Sequence, residues 1–329
     1  MVAPLPPTKV VTPPYSLLPP ALSDRAQALI AGRLEKGTVS AYQRVWDRYV
    51  LWCTGHGLDP ATRDRIALAV QTANFVADEQ ADRDLGHSAC KTRVAAISTR
   101  LKPILGFGVG EEPIVSALMQ GVRKKRPENP RYEDHPDLGL LWALFDRWGP
   151  NEGLDQSKLV GKVSSLLLLF GLRKCDQVRI DLAASIIEED SLRFKALTKE
   201  TRSTMWVTQP IPGCPEHPFR CCVAAVRDLI RRRPPDCRDT HSFFVSTKGV
   251  PVGSKWLGSR VQEVLKAAGV PPRYRPHCLR GMGASRALDG GIPGPLVNLQ
   301  FRWSPRSDTF ARFYLRSTKV QELGRVVYA

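Results

Sequence analysis

From residue 38 onward, apolar positions return every three or four residues. Val39, Tyr42, Val45, Trp46, Tyr49 and Cys53 fall on one helical face, Thr38 is placed to cap its start, and Gly55, Gly57 and Pro60 close it. The same period runs through 61–79, 88–101 and 112–125 with no strand-like alternation between, which predicts a helical domain over residues 21–126. Before it, residues 1–20 hold seven prolines and read as an extended arm. After it, VRKKRPENPRYEDHP (122–136) joins a charge cluster to three prolines, the composition of an exposed linker, placed at 127–135.

The second stretch opens with two helical runs, LGLLWALFDRW and KVSSLLLLF, the latter closed by Gly171 in a position that favours a left-handed cap. The period then changes. Residues 185–190, 192–197 and 203–211 read as short strands separated by turn-like clusters, and helices return at about 219–232, 253–268, 278–289, 294–301 and 308–317. The predicted fold class is mainly α with a small antiparallel β-sheet, the second domain being α+β and spanning 136–329.

At 329 residues, 43% hydrophobic and 24% charged, the chain can bury sizeable cores, which excludes disorder throughout. No apolar run approaches the roughly 20 residues a bilayer requires, and the proline-rich start lacks the apolar centre of a signal peptide, so a soluble intracellular protein with no membrane partner is expected. Eight cysteines, one pair adjacent (Cys221 and Cys222), are too sparse for a disulfide framework, and reduced thiols are expected.

Charge alters the picture more. The chain carries 48 Lys and Arg against 32 Asp and Glu, net +16, an excess that points to a polyanion such as nucleic acid. Residues 1–190 hold 24 basic and 23 acidic residues, whereas 191–329 hold 24 and 9, so the later part meets the negative charge.

Four separated features could carry chemistry: Gly171-Leu172-Arg173-Lys174-Cys175-Asp176, Lys199 between two strands, His277-Cys278-Leu279-Arg280, and Trp303 followed by Tyr314. Each alone has an ordinary reading as a surface pair, a helix cap or a core aromatic. In chain order they resemble the tyrosine recombinase (phage integrase) family, whose catalytic set runs Arg, Lys, His-x-x-Arg, His or Trp, Tyr. The Trp-Ser segment leading to TFARFY is most similar to the recombinases of eukaryotic DIRS-type retrotransposons and Cryptons.

The resemblance implies a helical core-binding domain joined to an α+β catalytic domain, closing round double-stranded DNA as a clamp. Tyr314 would attack the scissile phosphate to give a 3′-phosphotyrosine and a free 5′-hydroxyl. Its hydroxyl ordinarily titrates near 10, so it needs help losing its proton. Arg173 and Arg280 would clamp the non-bridging oxygens with planar, permanently charged forks. His277, three residues before Arg280 on a helix starting after Pro276, would act as base or phosphate donor, and Lys199 as general acid. Trp303 stands where many relatives carry His and can donate one hydrogen bond. The covalent bond conserves phosphoester energy, so no cofactor and no metal is expected.

Alternatives remain at several positions. Asp176 falls where the family has an acidic residue supporting the site, or serves as a capping carboxylate. Lys195 and Arg202 compete with Lys199, and Tyr328 is a rival nucleophile without a helix around it. Cys214, His217, Cys221, Cys222, Cys237 and His241 invite a zinc reading, although their spacing reproduces no CxxC pair. By resemblance, Thr38, Arg44, Lys91 and Arg93 would face DNA. VRKKRP, with Arg123, Lys124 and Lys125, is a further basic patch that resembles a nuclear import signal. The family further implies integration or excision of a mobile element by a homotetramer on two DNA sites, a dimer per site, exchanging strands through a Holliday junction. Three departures stand against this pattern: Trp for the commoner His, a slightly longer Trp303–Tyr314 spacing, and no obvious C-terminal helix after Tyr314. A type IB topoisomerase and a non-catalytic DNA-binding derivative are the other classes compatible with these residues.

Overall fold

The computed structural model describes residues 22–128, 131–197, 204–235, 237, 241–304 and 311. The chain divides into two compact units, residues 1–129 and 130–329.

In the first unit, α1 (Asp24–Gly32) is followed by α2 (Lys36–Gly55), α3 (Arg65–Arg83), α4 (His87–Leu105) and α5 (Pro113–Lys125), and these last four enclose a core built on Tyr49, Leu68, Phe75, Ile97 and Val115. The α2 helix starts earlier than its apolar period indicates. Glu35 is the N-cap, and Thr38 lies in the first turn with its N–H donating to the Glu35 carbonyl at 2.8 Å, so Thr38 is not the cap. The α3 cap is the expected kind: Asp64 accepts from the N–H groups of Ile66 and Ala67.

The second unit is organised round α7 (Gln156–Leu169), whose residues from Leu159 to Leu169 are all buried. A helix apolar all round must be covered all round. Its neighbours α9 (Cys222–Arg231), α10 (Ser254–Ala267) and α11 (Cys278–Asp289) do this, with α6 (Leu138–Trp148), the one-turn α8 (Lys174–Gln177) and α12 (Gly294–Phe301) completing the helical set among the described residues.

The strands β1 (Ile180–Ile187), β2 (Ser191–Leu197) and β3 (Thr204–Trp206) pair antiparallel in that order, and β4 (Ile211–Pro212) pairs with the far end of β2. The strand expected over 203–211 is thus two strands. Val207 still donates to the Phe194 carbonyl, but the Thr208 hydroxyl then takes the Phe194 N–H, and Pro210 has no N–H to offer. The β1 strand begins five residues before the expected 185 because its register shifts between Asp181 and Ile186, which masks the two-residue period. Ser185 fills the irregularity, donating to the Asp181 carbonyl and accepting from the Lys195 N–H.

Residues 132–135, expected within the linker, are fastened to the segment that leads into α11. The Tyr132 hydroxyl accepts from the Arg275 N–H at 3.0 Å, Tyr274 donates to Asp134 at 2.6 Å, and His135 bonds Ser285 at 3.2 Å. Among the described residues no helix is long and apolar enough to cross a membrane.

Candidate active site

Three chain segments converge in the second unit. The first is the end of α7, where Gly171 takes φ +92°, a conformation that disfavours any side chain. A Cβ there would also stand 3.0–3.1 Å from Phe301. The reversal delivers Arg173 to the start of α8, which Gln177 ties to α7 through bonds to Ser164 and the Leu172 carbonyl. Arg173 donates from Nε and Nη2 to the two oxygens of Asp176 at 2.7 and 2.9 Å. Asp176 is buried, while about a third of the Arg173 side chain remains open.

The second segment is the start of α11. It lies so close to the end of α7 that a Cβ on Gly283 would overlap the Leu169 carbonyl. His277 occupies the N-cap and Arg280 the first turn, as their spacing predicts. Arg280 is only 3% exposed and donates to the carbonyls of Gly171 and Phe301. A buried guanidinium needs such acceptors. These two acceptors are neutral backbone groups.

The third segment follows α12. Arg302 adopts φ 53° and ψ 44°, and this left-handed residue turns the chain so that Trp303 stacks on Phe301 at 5.0 Å and 14°. Arg280 lies over both rings, 5.6 Å from the Phe301 centroid and 5.0 Å from that of Trp303. Trp303 thus presents its ring face to Arg280. Gln300 bridges the neighbourhood, donating to the Phe170 carbonyl at 2.8 Å and accepting from the Gln209 N–H at 2.9 Å. Arg302 reaches Asp176 at 3.7 Å, a second cation on that carboxylate.

The electrostatics follow from this crowding. Desolvation, then Arg280, Lys174 and Arg173, hold the His277 imidazole down to about 4, although part of the residue faces solvent. It is therefore neutral near pH 7, able to accept a proton or donate one hydrogen bond. Burial likewise depresses the Lys174 ammonium. The arrangement sets Arg173, Arg280 and Lys174 round a neutral imidazole, a positive field suited to an anion.

Of the sequence-predicted site, Arg173, His277, Arg280 and Trp303 are brought together, with Asp176 in a supporting place. Lys199, Arg202, Tyr314 and Tyr328 lie outside the described residues. The strands that bracket Lys199 are described: Leu197 pairs with Thr204 across the 198–203 connection. The rival Lys195 sits within β2, its ammonium 4.6 Å from the Trp206 ring centroid. Lys174, Phe301 and Arg302 were not singled out by sequence reasoning. Lys174 adjoins Arg173, a usable signal, but nothing local marks Arg302 as left-handed.

In the first unit, Arg44, Lys91, Arg123, Lys124 and Lys125 are exposed on α2, α4 and α5, and Thr38 is half-buried. Arg93 turns instead to Glu79, at 3.2 and 3.3 Å, and to the Ala89 carbonyl. Lys125 also reaches Gln80 at 3.4 Å, and the three basic residues ending α5 complement its dipole. Of the residues in the zinc reading, the Cys221 sulfur accepts from the Cys214 N–H, the Cys237 thiol faces the Gly249 carbonyl, and His241 pairs with Asp181. No cluster of three or more metal-type ligands forms among the described residues.

The mostly helical chain with its small antiparallel sheet has the tyrosine recombinase fold. Solved structures of that fold superpose on most of the chain. XerH site-specific recombinase bound to difH substrate, in a pre-cleavage complex, is 13% identical with a TM-score of 0.57, covering 88% of this chain and 78% of its own. A lambda integrase tetramer bound to a Holliday junction is 15% identical with a TM-score of 0.52, covering 88% and 74%. The Tn1549 transposon integrase in complex with transposon right end DNA is 11% identical with a TM-score of 0.52, covering 79% and 84%. No family model matches the sequence, and no curated protein does.

Proposed function

We propose that this chain cleaves and rejoins double-stranded DNA through a covalent phosphotyrosine. The observation that carries the reading is the convergence of residues 171–176, 277–280 and 301–303, distant in sequence, round Arg280. The recombinase fold and its DNA-bound neighbours support it.

In this reading Arg173 and Arg280 bind the non-bridging oxygens of the scissile phosphate. Tyr314 gives its hydroxyl proton to neutral His277, and its oxygen bonds to phosphorus. The bond to the 5′-oxygen breaks, and that oxygen takes a proton from Lys199. The products are a 3′-phosphotyrosine and a 5′-hydroxyl. Reversal with another 5′-hydroxyl exchanges strands, and because the phosphoester is conserved no nucleotide cofactor is called for. Integration or excision of a mobile element of the DIRS or Crypton kind in the nucleus, by a homotetramer with a dimer on each DNA site, is the setting we propose. The lambda integrase tetramer on a Holliday junction supports the assembly.

The test is incubation with a randomised pool of nicked suicide duplexes, with recovery and sequencing of covalently trapped DNA. Wild-type protein should form an adduct that Tyr314→Phe abolishes. An adduct that persists in Tyr314→Phe and disappears in Tyr328→Phe would overturn the nucleophile assignment, and no adduct from any duplex would sink the reading.

A further inference from the structure

We propose that Arg302 is a positioning residue of the phosphate site, holding Asp176 so that Arg173 keeps net positive charge for the scissile phosphate. This inference rests on the strand-cleavage reading above.

The backbone supplies the first argument. Residue 302 must turn left-handed so that Phe301 offers its carbonyl to Arg280 while Trp303 stacks back on the Phe301 ring. Glycine would make that turn without penalty, whereas a side chain with a Cβ raises its conformational energy. Arginine is thus a poor choice for the turn alone. Its side chain has a task elsewhere, and the structure shows where it goes: three quarters buried, to within 3.7 Å of Asp176.

Charge supplies the second. Arg173 meets Asp176 through two charge-assisted bonds, and an isolated pair of this kind has no net charge to attract a phosphodiester. Asp176 is also almost wholly buried, so a phosphate that drew Arg173 away would leave a carboxylate stranded in a poor dielectric. Arg302 answers both difficulties. Arg173, Asp176 and Arg302 together carry net +1. When Arg173 swings toward phosphate, Asp176 keeps a cation beside it.

The test uses the full-length protein and the duplex selected with the wild type, carrying either the ordinary scissile phosphate or a neutral methylphosphonate in its place. Arg302→Gly is the main variant, because glycine suits the left-handed turn and should melt no lower than wild type. Arg302→Asn is a second variant whose side chain also tolerates that conformation. Single-turnover adduct formation on the ordinary phosphate should slow by about tenfold or more in both variants, with duplex affinity changed by no more than about twofold. On methylphosphonate the deficit should shrink to about threefold or less, because the missing charge is no longer demanded. Arg302→Lys should recover most of the rate. Equal losses on both substrates, or no loss on phosphate, would overturn the assignment while leaving strand cleavage intact. A wild-type chain that forms no adduct would overturn the strand-cleavage reading and this assignment with it.

Discussion

Two groups of arginines in this protein surround a carboxylate, one tying helices together and the other lying beside a buried guanidinium that donates to backbone carbonyls. In the first unit Glu79 of α3 takes Arg48 from α2 at 3.1 Å, Arg83 of its own helix at 3.6 Å and Arg93 from α4 at 3.2 Å, tying three helices together. In the second unit Asp176 takes Arg173 and, more loosely, Arg302, while Arg280 beside them donates to two carbonyls and lies over two rings. The more exposed members of such a helix tie, Arg48 and Arg83, contribute about 0–1 kcal/mol each. A guanidinium buried against backbone carbonyls, as Arg280 is, sits where water screens it little. The two places therefore differ in what the described contacts set against the guanidinium, a carboxylate in one and backbone carbonyls in the other.

The largest effect should separate these two kinds of arginine. Arg280→Lys preserves the charge but not the planar fork that spans the carbonyls of Gly171 and Phe301, so adduct formation should fall by on the order of 100-fold or more. Arg93→Lys, which keeps a cation for Glu79 but loses the fork, should lower stability while leaving cleavage within about twofold of wild type. Single-turnover cleavage and thermal melting of both variants check the contrast. Equal sensitivity at the two positions would erase it.

A buried lysine offers a third way of handling charge, with the next largest effect. Lys162 lies on α7, fully buried, donating to Asn151 at 2.7 Å with its ammonium 5.3 Å from the Phe145 ring centroid. Asn151 in turn donates to Asp228 at 2.6 Å. Burial pulls the Lys162 ammonium down to about 8. An unfolded chain, with lysine near its ordinary value, then binds more protons between pH 8 and about 10.5, so stability should rise with pH across that window, by about 3 kcal/mol at most. Lys162→Met should flatten this rise in denaturant titrations at pH 8 and pH 10. A slope unchanged by the substitution would show that Lys162 keeps its ordinary affinity for protons.

How far the sequence carried the argument depends on whether a feature is local. The α11 and α12 helices run over residues 278–289 and 294–301, as the periodicity predicts, because Pro276, the Gly290-Gly291 pair and Pro293 punctuate them. Arg173 after its glycine and the His277–Arg280 spacing were equally readable, since each motif is short and tied to a helix end. What stayed hidden was long-range. The sequence placed Lys162 at the start of a helix, where it would normally face water, but the helix begins at Gln156 and is covered on every side. Arg302 resembles any surface arginine until the fold brings Asp176, far away in the chain, to its guanidinium. The β1 strand escaped its true start because Ser185 substitutes for a ladder partner, a side-chain event that no two-residue period registers.

The smallest effect should come from His277, which senses the field that the comparison assigns to the site. Desolvation depresses its imidazole most, and Arg280, Lys174 and Arg173 depress it further, to about 4. Between pH 4 and the ordinary histidine value near 6.5 the unfolded chain binds the extra proton, so this residue should lower stability as pH falls through that window and add no pH dependence above it. Protein labelled at histidine and followed by NMR should show the His277 ring titrating with a midpoint near 4. Lys174→Met removes one of the three cations without touching the buried Arg280 and should move that midpoint upward, whereas Arg93→Lys should leave it in place. A midpoint that ignored Lys174 would mean that its ammonium adds nothing to the field that His277 senses.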